Sequence, residues 1–224
     1  MIFIWYDAIK PIVKLVSVNI GLPRRVKFEN EFVTTGIFKN PVEKRIKLKK
    51  LNLEGDKQAD LTVHGGPDKA VYSYPSEYYG FWKKEFPNMP CNWGMFGENL
   101  TTAGLFQSQV SIGDMFQIGS AKVVPTQPHM PCYKLGVKFG RMDIIKKLES
   151  GKSGIYFKVV KEDKIGTTDD SINLIKKDNN DVTIENIVEI VTQDKNNKLL
   201  NEKVVKVQDL PLCWKHYFSW KTFT

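Results

Sequence analysis

Between residues 109 and 127 the chain alternates short apolar runs with two-residue turns: Gly113-Asp114, then MFQI, then Gly119-Ser120, then AKVVPTQ. Glycine at the first position of a two-residue connection predicts a tight hairpin, so this region is expected to be antiparallel sheet. No other feature constrains the fold as strongly. Residues 12–19 (IVKLVSVN) alternate enough for a first strand, and residues 44–53 set Ile46 and Leu48 against lysines in a half-buried pattern. Asp60-Leu61-Thr62-Val63 predicts another strand, and residues 155–160 and 171–175 predict a hairpin-like pair around residues 161–164. Two helices are expected within this β-rich stretch. The first spans Pro75 to Phe86, with Pro75 in the first turn, Ser73 as candidate cap, and Tyr78, Trp82 and Phe86 forming a stripe destined for the core. The second spans residues 139–150 and stops at Gly151.

The character changes at the charged break Lys176–Asp181. Three short helices are expected beyond it, over residues 183–191, 201–210 and 212–223. Thr183 can cap the first, and Ile184, Ile187, Val188 and Val191 share one face of it. The reading is an α+β, β-rich body with a helical tail. A hydrophobic content of 42% supports a real core and excludes a disordered chain. No 18-residue apolar run exists, so no transmembrane helix is expected. The apolar start Met1–Tyr6 is broken by Asp7, Lys10, Pro11 and Lys14 and lacks the flanks of a secretory signal, which points to the cytoplasm. Cys91, Cys132 and Cys213 are odd in number, far apart and without CxxC spacing, which argues against a disulfide framework or a zinc site built from cysteine pairs. Cys213 is expected in the core, and Trp214, Tyr217, Phe218 and Trp220 of the same tail are expected to pack on the barrel or on another subunit, as in a homodimer.

The net charge of +8 is unevenly placed: residues 24–50 and residues 116–160 each carry +6, whereas residues 51–115 carry −4. Two basic stretches that converge on folding would make a pocket for an anion, such as phosphate or a phosphorylated cofactor. No recognition-helix, RRM or zinc-finger pattern supports nucleic acid as the partner.

Three segments carry candidate chemistry. In His64-Gly65-Gly66-Pro67-Asp68-Lys69 the glycines force a tight turn whose N–H groups can cradle an anion, with Lys69 adding charge; an ordinary surface loop is the alternative. Phe96-Gly97-Glu98-Asn99-Leu100-Thr101 clusters polar side chains that either bind a ligand or serve as turn residues. In Thr126-Gln127-Pro128-His129-Met130-Pro131-Cys132-Tyr133-Lys134 two prolines stiffen the approach to a single cysteine, and Lys134 favours its thiolate if the two side chains meet. A thiolate is a nucleophile or a soft-metal ligand; a buried structural cysteine is the alternative. A hydrolytic Cys132–His64 pair is conceivable, although no residue in the sequence is seen to orient the imidazole.

These segments together resemble the MOSC family, named for the C-terminal domain of molybdenum-cofactor sulfurase, and most closely its YiiM-like branch. The resemblance is carried by Gly55–Asp60, His64–Pro75 (HGGPDKAVYSYP), Phe96–Thr102, Gly113–Pro128 and Pro131–Leu135, with residues 181–224 similar to a three-helix tail. It implies a MOSC-type β-barrel domain over residues 12–177 and a small C-terminal three-helix subdomain over 181–224. It also implies a molybdenum cofactor (molybdopterin) and reduction of N-hydroxylated compounds, such as hydroxylaminopurine bases, to amines, as detoxification of base analogues. By motif position Cys132 would be the catalytic metal ligand. His64, Gly65, Gly66, Lys69, Asn99, Thr126, Gln127, His129 and Lys134 would contact cofactor or substrate. Where the family usually reads Gln-Pro-Arg before the cysteine, this chain reads Gln127-Pro128-His129, which replaces a two-pronged anion clamp by a side chain only partly charged near neutrality. Lacking a flavin or nicotinamide motif, such a reductase would take electrons from a flavoprotein reductase. The alternative is a non-catalytic carrier of the cofactor or of sulfur.

Overall fold

The computed structural model describes residues 13–149, 151–168, 171–194 and 197–223. In chain order its strands are β1 (Val13–Ile20), β2 (Arg24–Phe28), β3 (Glu31–Thr35), β4 (Asn40–Val42), β5 (Ile46–Leu48), β6 (Val71–Pro75), β7 (Leu100–Ala103), β8 (Met115–Ile118), β9 (Ala121–Pro128), β10 (Ile155–Lys161), β11 (Asp163–Ile165) and β12 (Ser171–Lys176). Seven of these bond in the order β12-β8-β9-β10-β6-β7-β1, and β1 pairs again with β12 through Val13 opposite Ile172, closing a barrel. Closure leaves those strands no open edge. β4 extends the sheet beside β1, β5 pairs with β11, and β2 with β3 form a separate hairpin. The fold is a β-rich α+β barrel, as the alternation and turn spacing predict, and the Gly119-Ser120 turn does join β8 to β9.

β6 and β7 run parallel, with Ser73 opposite Leu100. A parallel pair needs a crossover, and α1 (Glu77–Glu85) lies within it. Trp82 of α1 is fully buried and donates its indole N–H to Tyr74 Oη at 2.6 Å. With Tyr79, Phe86 and Phe96 it builds an aromatic cluster on one flank of the barrel. Of the expected stripe, Trp82 and Phe86 are buried and Tyr78 is half-buried.

Several local expectations are corrected. Ser73 is not a helix cap but a buried residue of β6, whose last residue is Pro75; Ser76 holds the N-cap position instead. Residues 60–63 form a turn, because the Asp60 carboxylate accepts hydrogen bonds from Thr62 N (3.0 Å) and Thr62 Oγ1 (2.6 Å), a local alternative to strand pairing. In residues 44–53 only Ile46–Leu48 forms a strand, and Leu53 makes a single antiparallel bridge back to Leu48. β10 and β12 do not pair with each other: β10 lies between β9 and β6, whereas β12 lies between β8 and β1. The helix expected over 139–150 is present, starting at Asp143, and a helix the sequence reading did not foresee precedes it. α2 (Tyr133–Phe139) ends at Gly140, whose left-handed φ of 65° caps it, and α3 (Asp143–Glu149) follows.

The tail forms α4 (Ile184–Thr192), α5 (Lys198–Val205) and α6 (Leu212–Phe223). Ile184, Ile187 and Ile190 of α4, Val204 of α5 and Phe218 of α6 share one apolar cluster with Phe116, Val123 and Phe157 of the barrel. Cys213, expected in the core, is exposed. No helix among the described residues is long and apolar enough to cross a membrane. Thr183 caps α4 as expected: its Oγ1 accepts from Asn186 N at 3.1 Å, and Asn186 Oδ1 accepts from Thr183 N at 3.0 Å. Thr183→Ala should cost about 1 kcal/mol, seen as a lower urea midpoint with an unchanged slope.

Candidate active site

The end of β9 delivers the chain to a cavity. His129 directly follows the strand, Met130 and Pro131 turn the backbone, and Cys132 takes the N-cap position of α2 in extended conformation. The Cys132 side chain makes no capping hydrogen bond, which leaves its sulfur available to the cavity. On the opposite wall the 57–69 loop brings in His64, whose Nε2 stands 3.7 Å from Cys132 Sγ. His64 N–H donates to Asp60 O at 3.0 Å, so the turn that replaced the expected strand also fixes this histidine. Partial burial and then the charges of Lys134 and Lys69 lower the pKa of His64, favouring the neutral imidazole.

The cavity beside Cys132 has a volume of about 90 Å³, and Lys39, Lys57 and Lys134 contribute to its wall. Lys39 forms an ion pair with the buried Asp56 carboxylate; its pKa is lowered because burial outweighs that attraction. The floor is aromatic. The His129 ring stacks on Tyr72 with centroids 4.2 Å apart, and Tyr156 closes the side. Burial pushes the His129 pKa down to about 3, so its imidazole is neutral at physiological pH and presents hydrogen-bonding atoms rather than charge. Among the described residues its Nδ1 is a buried polar atom without a partner.

Four of the sequence-derived candidates thus line one cavity: His64, His129, Cys132 and Lys134. The others hold the frame around it. Gly65 and Gly66 have positive φ (109° and 83°) and lead into a 3-10 turn at Pro67–Lys69, and Lys69 Nζ donates to Val63 O at 3.0 Å across the base of the loop. Thr126 Oγ1 donates to Asp68 O at 2.7 Å, and Gln127 Nε2 reaches the same oxygen at 3.4 Å, fastening that turn to β9. Gln127 Oε1 accepts from Trp214 Nε1 at 2.7 Å, which ties the same strand to α6. Asn99 donates to Asp56 Oδ2 (3.0 Å) and to Asn19 O (3.3 Å), and its Oδ1 accepts from Tyr72 N (3.2 Å). Sequence reasoning did not single out Lys39, Lys57, Tyr72 or Tyr156. The concentration of charge in residues 24–50 was the available signal for Lys39; the aromatic residues lay within strands and carried none.

Residues 60–172 match the MOSC domain, half of the chain, including His64 and Cys132. The Bacillus subtilis protein YflK, which is uncharacterised, is 36% identical over 208 residues, covering 92% of this chain and 93% of its own length. This chain belongs to the MOSC family. The crystal structure of YiiM from Geobacillus stearothermophilus superposes with a TM-score of 0.79 at 30% identity, covering 94% of this chain and 99% of the other, so the MOSC barrel and its helical tail are shared. A Gibberella moniliformis protein named reductase is 28% identical over 167 residues; the match covers 73% of this chain and 29% of that protein. MOSC domains are associated with binding of the molybdenum cofactor, and the thiol that lines the cavity lies within the matched segment.

The neutral state of His129 has a measurable consequence. Its folded pKa of about 3 lies below the ordinary value of 6.5, so the unfolded chain binds the proton first on acidification. This contribution to stability is complete above pH 6.5 and falls by about 1.4 kcal/mol per pH unit between 6.5 and 3. Comparing the unfolding free energies of wild type and His129→Phe at pH 7 and pH 5.5 isolates it. The wild type should lose more stability than the variant, whose ring can keep the Tyr72 stack.

Proposed function

We propose that this MOSC protein is a molybdenum-cofactor-dependent reductase that converts N-hydroxylated compounds, such as N-hydroxylated purine bases, to amines, with a flavoprotein reductase as electron donor. The observation that carries the reading is the half-buried thiol of Cys132 in a lysine-walled cavity open to solvent, 3.7 Å from an imidazole whose neutral form is favoured.

The residues fit the cofactor. Among the described residues no group of three or more His, Cys, Asp and Glu side chains could hold a metal alone. One thiol suits a metal that arrives with other ligands from an organic cofactor, and a soft thiolate suits molybdenum in sulfur coordination. Cys132 would be the protein ligand. Lys134 and Lys57 would meet a cofactor phosphate, and His129 Nδ1 offers a buried hydrogen bond to a polar heterocycle.

The overall change is R–NHOH plus two electrons and two protons to R–NH2 and water; bound cofactor supplies the two-electron chemistry. The chain supplies orientation and enclosure. His64 Nε2 is placed to hydrogen-bond an N–OH group brought beside Cys132. The His129–Tyr72 stack gives a planar base a flat apolar wall. The reductase whose match occupies 29% of its length supports a reading in which a MOSC unit works with other redox parts.

The test is turnover. Protein from a host that makes the cofactor is supplied with a chemical reductant and 6-hydroxylaminopurine, and adenine is measured. Adenine formed in proportion to bound molybdenum supports the reductase. Stoichiometric molybdenum without adenine overturns it in favour of the carrier.

A further inference from the structure

A second cavity, about 480 Å³, adjoins the first across Lys39, which lines both. Its walls hold three cationic side chains, Arg24, Lys39 and Lys138, together with Phe38 and Trp93, and among the described residues no acidic side chain lines it. The carboxylates that offset the lysines lie behind the wall: Asp56 pairs with Lys39, and the fully buried Glu98 acts on Lys138. Lys138 Nζ is fixed by Ile37 O (2.9 Å) and Gly94 O (2.6 Å), while the Arg24 guanidinium lies 3.6 Å over the Phe38 ring. Cations beside half-buried aromatic rings, without a competing carboxylate in the wall, suit a ligand that carries both an anion and a flat group.

Size adds to this. At 480 Å³ the second cavity lies in the range of small-molecule sites. We propose that the Arg24–Lys39–Lys138 cavity receives the sugar phosphate of a purine nucleotide whose base points toward Cys132, so that N-hydroxylated purine nucleotides are bound and reduced in preference to the free bases. This rests on the reductase reading for the chemistry. The binding site itself is tested without turnover.

The experiment titrates cofactor-free protein with AMP, adenine and inorganic phosphate, followed by calorimetry and by tryptophan fluorescence, to which Trp93 contributes. AMP should bind at least tenfold more tightly than either adenine or phosphate. Arg24→Ala, a surface change, should weaken AMP about tenfold and leave adenine unaffected. Trp93→Phe should remove most of the fluorescence response to AMP. Equal affinity for AMP and adenine overturns the proposal, as does an Arg24→Ala protein that binds AMP like wild type. Inorganic phosphate binding as tightly as AMP also overturns it, leaving a general anion site. The titration is repeated on cofactor-loaded protein: retained AMP binding is expected, and its loss assigns the cavity to the cofactor instead. Failure of N–O reduction with AMP binding intact would overturn the reductase reading alone.

Discussion

Cys132→Ala should abolish molybdenum retention and lower N–O reduction by on the order of 100-fold or more, while the melting temperature stays within a few degrees of wild type. The two halves of this expectation have separate causes. The fold uses the sulfur little: Cys132 is half-buried, its side chain caps no helix N–H, and its recorded polar contact is His64 Nε2 at 3.7 Å. Removing it from the edge of a cavity therefore costs little stability. The proposed chemistry depends on it, because no cluster of other ligands among the described residues stands ready to take its place. Cys132→Ser, nearly isosteric, should fail in the same way, since a hydroxyl is a poor ligand for a soft metal. Molybdenum measured per protein gives an answer independent of turnover. Full metal content and a wild-type rate in either variant would remove Cys132 from the ligand role.

Asp56→Ala should destabilise the protein by about 3–5 kcal/mol, equivalent to a fall of roughly 10 °C or more in melting temperature. Asp56 is 2% exposed and accepts from Gly21 N (2.9 Å), from Asn99 Nδ2 (3.0 Å) and from Lys39 Nζ. Its loss leaves the lysine charge buried without a partner, the costly half of a broken ion pair. Lys39, its pKa already lowered by burial, would shed its proton more readily in the variant. Lys39→Met combined with Asp56→Ala should recover part of the loss, because it removes the stranded charge. A single variant within 1 kcal/mol of wild type would mean that water reaches Lys39. Ligand binding in the cavities that Lys39 lines should weaken along with stability.

The sequence determined what depends on neighbours in the chain. Alternation and two-residue turns specified a β-rich body. Thr183 and the spacing of Ile184, Ile187 and Val188 specified α4, because a cap and an amphipathic face are local. The ordered motifs from Gly55 to Leu135 specified the MOSC family, and Cys132 stood out from its own flanking residues. Local reading failed where two local signals competed. Leu61 and Val63 resembled strand positions until the Asp60 carboxylate took the Thr62 N–H. Tertiary structure alone decided which distant segments meet. Barrel closure by β1 and β12 and the separation of β10 from its expected partner are long-range pairings, chosen by burial of one continuous core. The approach of His64 to Cys132, 68 positions apart, follows from Thr126 and Gln127 fastening the Asp68 turn to β9. Burial, which no composition reports, made His129 neutral and set Lys39 between two cavities. Periodicity can say that a side chain faces inward; only the closed barrel decides which other side chains it meets there.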